Sequence, residues 1–232
     1  MSSPAAPRDA APREGAANSE CGSARDAGEA ANAEPEASPL DEDVATARRD
    51  GRVAGRAAFG RLFDAYHGRV LRFCVRRVGG AAAEDVASEC WLAVAGEVRR
   101  FRGQTETDFR CWLYRVAATR ANAHLRTTRR RGELLADAVA DGRLGDKPTP
   151  AADPTDATED WAALRSAIGR LSEREQTIVT LRSLEGLPHE EVAAAVGLRV
   201  GATRTAHSRA LAKLRGWLTE ADTTGGSERS AE

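Results

Sequence analysis

The residues best equipped for chemistry in this chain are arginines set among short hydroxyl side chains. In EEVAAAVGLRVGATRTAHSRALAKL, residues 190–214, both acids precede Gly197 and every base follows it. Residues 199–218 carry five cations and no anion. Arg204 and Arg209 can pair with phosphates or guanine edges, and Thr205 and Ser208 are short enough to hydrogen-bond bases or backbone. That is the chemistry of recognising a polyanion, and it makes no covalent bond. A second basic block, residues 99–132, holds 10 bases and 2 acids and ends in the run RTTRRR. Covalent chemistry finds little support. Cys21, Cys74, Cys90 and Cys111 show neither CxxC spacing nor a histidine at a metal-ligand interval. No nucleophile motif surrounds them, so no catalytic residue, metal site or cofactor is assigned.

The 232 residues have a formal net charge of only -1, which hides strong segregation. Residues 1–50 carry 5 bases and 11 acids, and residues 133–160 carry 2 and 8. Two basic blocks thus alternate with acidic segments rich in Ala, Pro and Gly, the pattern of two polyanion-binding modules joined by solvated linkers. Solvated helix faces give the same charge pattern, so charge alone leaves both readings open. The acidic segments are also placed to shield the basic ones. No apolar run approaches the ~20 residues that span a bilayer, and the first thirty residues lack a basic flank followed by an apolar stretch. A soluble, cytoplasmic protein is expected.

Helices must position these side chains, since no strand signal appears. Residues 1–50 have no aromatic residue and no sustained apolar period, and they are read as a disordered acidic tail. From Phe59 the apolar residues Leu62, Phe63, Tyr66, Val70 and Phe73 recur at helical spacing. A second helix is predicted over 83–98, with Val86, Cys90 and Val94 inward. After the polar loop FRGQTETDF, residues 101–109, a third helix starts near Phe109 and buries Phe109, Trp112, Leu113 and Val116. Its other face carries Arg115, Thr119, Asn122 and Arg126. The loop aromatics Phe101 and Phe109 fit either a core or a platform for unstacked bases. A linker is read over 133–160. The next module, 161–218, opens on Trp161, Leu164, Ile168 and Leu171. Ser172 and Glu175 form a capping-box pair that starts a helix ending near Leu184. Pro188 falls in the first turn of the following helix, and Gly197 stops it. A short helix, a glycine turn and a basic helix are the parts of a helix-turn-helix. Residues 219–232 are read as a disordered C-terminal tail.

With these motifs in hand, the chain resembles the extracytoplasmic-function sigma factors, the minimal two-domain class of the sigma-70 family. LSEREQTIVTLRSLEGLPHEEVAAAVGLRVGATRTAHSRALAKL looks like the family's region 4. FGRLFDAYHGRVLRFC, AEDVASECWLAV and FRCWLYRVAATRANAHLR look like region 2. The resemblance implies an all-α fold of two small helical domains, a region 2 bundle over 51–132 and a region 4 helix-turn-helix over 161–218, joined by a flexible linker. It further implies a non-enzymatic specificity subunit that binds RNA polymerase core and directs it to promoters. On the matching positions, Asp85, Ser88 and Glu89 would meet the β′ clamp helices. Arg102, Gln104, Arg110, Arg115, Thr119, Asn122 and Arg126 would read and melt the minus-ten element. Arg199, Arg204, Thr205, Ser208 and Arg209 would read the minus-thirty-five element, with the β flap as the second polymerase contact. Promoter DNA and core polymerase are the implied partners, with no membrane, and the sequence leaves an anti-sigma factor open.

Departures from the family pattern are Ser88 for Gln, Thr119 and Ala123 for Asn and Asp, and Thr203 and His207 at apolar positions of the recognition helix. The last two are expected to soften that helix's inner face. A stand-alone helix-turn-helix regulator would explain residues 161–218 but not the Trp-Leu-Tyr-Arg helix and its arginine run.

Overall fold

The structure, a computed structural model, describes residues 38–49, 53–140 and 159–228, and all of its regular elements there are helical. The N-terminal module consists of α1 (Asp41–Arg49), α2 (Val53–Val78), α3 (Gly80–Glu97), a 3-10 turn (Val98–Arg100), a loop and α4 (Glu106–Ala140). Leu62, Tyr66, Val70 and Phe73 of α2 are buried at the expected spacing, as are Val86, Cys90 and Val94 of α3. On α4 the buried row is Phe109, Leu113, Ala117 and Ala121, with Tyr114 beside it. Trp112 and Val116, expected in that row, pack against it only partly buried. The row advances by fours, so the small Ala117 and Ala121 continue it on the same helix face.

Several boundaries differ from the sequence reading, among them the start of α4 at Glu106, inside the segment read as a loop, and that of α5 at Glu159, inside the linker. The segment read as a disordered tail contains α1, whose Val44 and Ala47 are buried in the core. The order comes from a helix short enough to miss in composition: Asp41, Glu42 and Asp43 occupy its first turn and Arg48 and Arg49 its last, both favourable to the helix dipole. Likewise α4 continues through residues 133–140, assigned to the linker, and the last helix continues through 219–228, assigned to a tail. The remainders of those segments, 1–37, 50, 141–158 and 229–232, lie outside the described residues.

The C-terminal module has α5 (Glu159–Gly169), α6 (Glu173–Val179) running into a π turn (Thr180–Leu184), α7 (His189–Val196) and α8 (Val200–Glu228). The capping box forms: Ser172 Oγ accepts from Glu175 N at 3.3 Å, and Ser172 N donates to the Glu175 carboxylate at 3.0 Å. Pro188 stands at the N-cap of α7, one residue before its first turn, and supplies no side-chain cap. Gly197 ends α7 in the left-handed region, φ 69°, where a side chain would be strained.

Two cores result. Ala167, Ile168, Leu171, Val179, Ala210 and Leu214 form the C-terminal module's own core. Ile178, Leu181, Leu187, Val192 and Ala195, from the opposite side of α6 and α7, instead join the core of the N-terminal module. The helix-turn-helix therefore has two apolar sides, one holding α8 and the other packed on α2 and α4.

Candidate nucleic-acid and polymerase interfaces

Asp85, Ser88 and Glu89 lie exposed on α3. They share one helix face with Leu92, which is 73% exposed, since positions three, four and seven apart line up. The reverse face, Val86, Cys90 and Val94, is buried, so α3 is anchored while an acidic strip with one apolar residue faces out. Burial pushes the thiols of Cys74 and Cys90 up to about 12. They are core residues, and burial disfavours the thiolate that would react.

The loop between the 3-10 turn and α4 has a fixed shape. Phe101 stacks on Trp112 with ring centroids 4.9 Å apart and meets Phe109 edge-on at 6.1 Å. Phe109 is fully buried, so these loop aromatics serve the core. Gly103 lies against the Phe101 ring, and a Cβ there would also come within 2.5 Å of the Asp108 Cβ. Asp108 accepts from the backbone N–H of Gln104 at 3.0 Å and of Thr105 at 3.2 Å, while Thr105 Oγ1 accepts from Asp108 N at 3.1 Å. With the backbone so held, the side chains of Arg102, Gln104 and Thr105 are left exposed.

Of the other residues expected at the minus-ten surface, Thr119 is exposed, its hydroxyl donating to Arg115 O at 2.9 Å. Arg110, Arg115 and Arg126 meet the C-terminal module, and Asn122 meets Arg77 of α2. Arg110 donates to both oxygens of Glu191, at 2.8 and 2.5 Å. Burial opposes its charge, but the hydrogen bond and charge of Glu191 outweigh burial and raise its pKa. Arg115 donates to Ala195 O at 3.1 Å and to Ala194 O, completing carbonyls in the last turn of α7 where a cation suits the helix dipole. Asn122 Oδ1 accepts from Arg77 at 2.5 Å, and Arg77 also donates to Gln176, which ties back to Leu171 O at 2.8 Å. Burial lowers the Arg77 pKa to about 10. Arg126 pairs with Glu173 at 2.8 Å. Glu191 and Glu173, which pair with Arg110 and Arg126, are thus residues of the C-terminal module, and Arg76, paired with Glu185 and donating to Leu184 O at 2.6 Å, extends the same seam.

On α8 the side chains of Arg199, Arg204, Thr205, Ser208 and Arg209 are all exposed, while Thr203, Ala210 and Leu214 are buried. Leu211 packs against this core only partly buried. Arg204 meets Glu190 at 3.1 Å with both side chains about 60% exposed, a pair worth ~0–1 kcal/mol that phosphate can displace. The two polar residues on the inner face are satisfied: Thr203 Oγ1 donates to Arg199 O at 3.1 Å, and His207 bonds Ser183 Oγ at 2.8 Å.

Sequence reasoning missed the support of α1. Ser38 and Tyr66 hydrogen-bond the Glu106 carboxylate, Asp41 accepts from Glu106 N at 2.5 Å, and Arg61 clamps Asp43 at 2.6 Å. Burial works against ionised Glu106, yet the bonds from Ser38 and Tyr66 and the charge of Arg110 hold its pKa below the ordinary value. The signal available in sequence was the run of three acids and, seven residues on from Asp41, the pair Arg48-Arg49.

Comparison with known proteins follows the same division. The family described as Sigma-70 region 2 matches residues 62–131, and Sigma-70, region 4 matches residues 161–214. The ECF RNA polymerase sigma factor BldN of Streptomyces coelicolor is 37% identical over 166 residues, covering 69% of this chain and 61% of its own length. The ECF RNA polymerase sigma factor SigD of Mycobacterium tuberculosis is 33% identical over 177 residues, covering 70% of this chain and 78% of its own. Among solved structures, CnrH in complex with the cytosolic domain of CnrY aligns with a TM-score of 0.55 at 25% identity, covering 78% of this chain and 97% of CnrH. An acidic helix face, a rigid polar loop beside a basic helix, and an exposed recognition helix therefore fall within one pair of matched regions, and the chain belongs to the extracytoplasmic-function sigma factors of the sigma-70 family.

Proposed function

We propose that this protein binds RNA polymerase core, directs it to a defined set of promoters and promotes opening of the DNA, acting as a specificity subunit and leaving bond-making to the polymerase. The observation that carries the reading is α8, which exposes Arg199, Arg204, Thr205, Ser208 and Arg209 while its other face is buried. A helix held that way can enter a major groove, and we assign it the minus-thirty-five element. We assign core binding to Asp85, Ser88 and Glu89 with Leu92 at the β′ clamp helices, and a second contact to the C-terminal module at the β flap. The loop side chains Arg102 and Gln104, with Arg110 and the face carrying Arg115, Thr119, Asn122 and Arg126, take the minus-ten element and melting. That assignment requires the C-terminal module to leave Arg110, Arg115 and Arg126 when DNA binds, and Asn122 to leave Arg77. CnrH is solved with the cytosolic domain of a second protein, which supports a regulatory protein partner, an anti-sigma factor, for this chain too. Such a protein works in the cytoplasm, where polymerase is.

Run-off transcription with bacterial core polymerase on a genomic promoter library tests the whole reading: specific transcripts are expected with this chain and absent without it. Arg204→Ala and Arg209→Ala then test the recognition helix. Where one makes a bidentate guanine contact, its loss should cost ~1–3 kcal/mol and relax preference at one base. Unchanged affinity and preference in both variants would remove α8 from this role.

A further inference from the structure

We infer that α1 is a splint that sets the shape of the promoter-reading loop, with Arg48 as its positioning residue; this rests on the proposed role of residues 102–105 at the minus-ten element. Arg48 Nη1 donates to Gly103 O at 2.6 Å and to Arg102 O at 3.3 Å. Asp108 holds the loop's N–H groups at Gln104 and Thr105, so the loop is gripped through its carbonyls from one side and its amides from the other. A charged donor on carbonyls makes a stronger bond than a neutral one.

The far end of the loop is held by α1 as well. Asp41 accepts from Glu106 N at 2.5 Å, capping the start of α4. Asp41 and Arg48 are seven residues apart, so they share a face of α1 about 10 Å apart along its axis. That span bridges the loop from Arg102 to Glu106. The splint itself is fixed to the module by buried Val44 and Ala47 and by the Asp43–Arg61 pair at 2.6 Å. The region 2 match begins at residue 62, so the segment doing this lies wholly upstream of it.

The consequence is that side chains touching the promoter are aimed by one that does not. The test uses the full chain assembled with core polymerase on a promoter fragment recovered by run-off transcription, comparing wild type, Arg48→Ala, Arg48→Lys and a variant with residues 104–108 replaced by a Gly/Ser segment. Arg48→Ala should retain core binding and the folded protein's thermal transition. It should lower permanganate reactivity of the melted thymines by about tenfold, as expected for one charge-assisted hydrogen bond, and speed hydrogen exchange of the Gln104 and Thr105 amides. Arg48→Lys, which can still donate to a carbonyl, should recover part of both. Wild-type opening by Arg48→Ala alongside a defective 104–108 variant would overturn the splint while leaving the loop's role intact. Normal opening by the 104–108 variant would remove that role and this inference with it.

Discussion

At Gly103 the reason for glycine is contact, not backbone angle. Any side chain would meet the Phe101 ring and the Asp108 Cβ, and neither can move freely because Phe101 is stacked on Trp112 and Asp108 caps the loop. Gly103→Ala should therefore lower stability by about 1–3 kcal/mol, as overpacking does, seen as a lower urea midpoint with an unchanged slope. His207 makes a pH-dependent counterpart. Burial first, then the charges of His189 and Arg182, depresses its pKa from the ordinary 6.5. Protons are bound more readily by the unfolded chain, so this contribution to stability is present above pH 6.5 and fades as pH falls through the folded value. Urea midpoints at about pH 8 and about pH 5.5 should differ in that direction, and His207→Leu should narrow the gap.

Among the helices, legibility in sequence followed the strength of the period. The α2 row of Leu62, Tyr66, Val70 and Phe73, the Ser172–Glu175 capping box and the Gly197 stop all stood out because each depends on local spacing or local hydrogen bonds. The exposed face of α8, proposed to read DNA, was legible as an exposed face for the same reason: its arginines and hydroxyls are interspersed with the buried Thr203, Ala210 and Leu214. What stayed hidden depended on distant partners. Nothing in the spacing around Arg110 announces that its guanidinium is bound to Glu191, 81 residues further along the chain. Helix α1 was hidden because nine residues with two buried apolar side chains, Val44 and Ala47, make too weak a period to separate from an acidic tail. Deleting residues 2–49 exposes the surface that Val44 and Ala47 cover and should cost about 2–4 kcal/mol by urea unfolding.

Across the two modules, one surface has two claimants. Glu191, Glu173 and the α7 carbonyls occupy arginines that the proposed function assigns to promoter DNA. Glu191→Ala should free Arg110 without touching the exposed residues of α8. Duplex binding by the chain without polymerase should then strengthen several-fold at low salt, and the log–log salt slope should steepen by about 0.9 if Arg110 gains one phosphate. An isotherm and slope identical to wild type would show that Glu191 does not limit this surface. The pair matters more than most surface ion pairs because both side chains are largely covered, at 22% and 13% exposed.

The buried thiols make the N-terminal module its own timekeeper. With pKa values near 12, Cys74 and Cys90 present a thiolate fraction on the order of one in a hundred thousand at neutral pH. Alkylating agents and oxidants reach them only when α2 and α3 part. Their modification rate therefore counts openings of the core that α1 and α4 close; a sulfenic acid formed in such an opening can be reduced and repacked, whereas one carried on to the charged sulfinic acid would keep the core from closing over it.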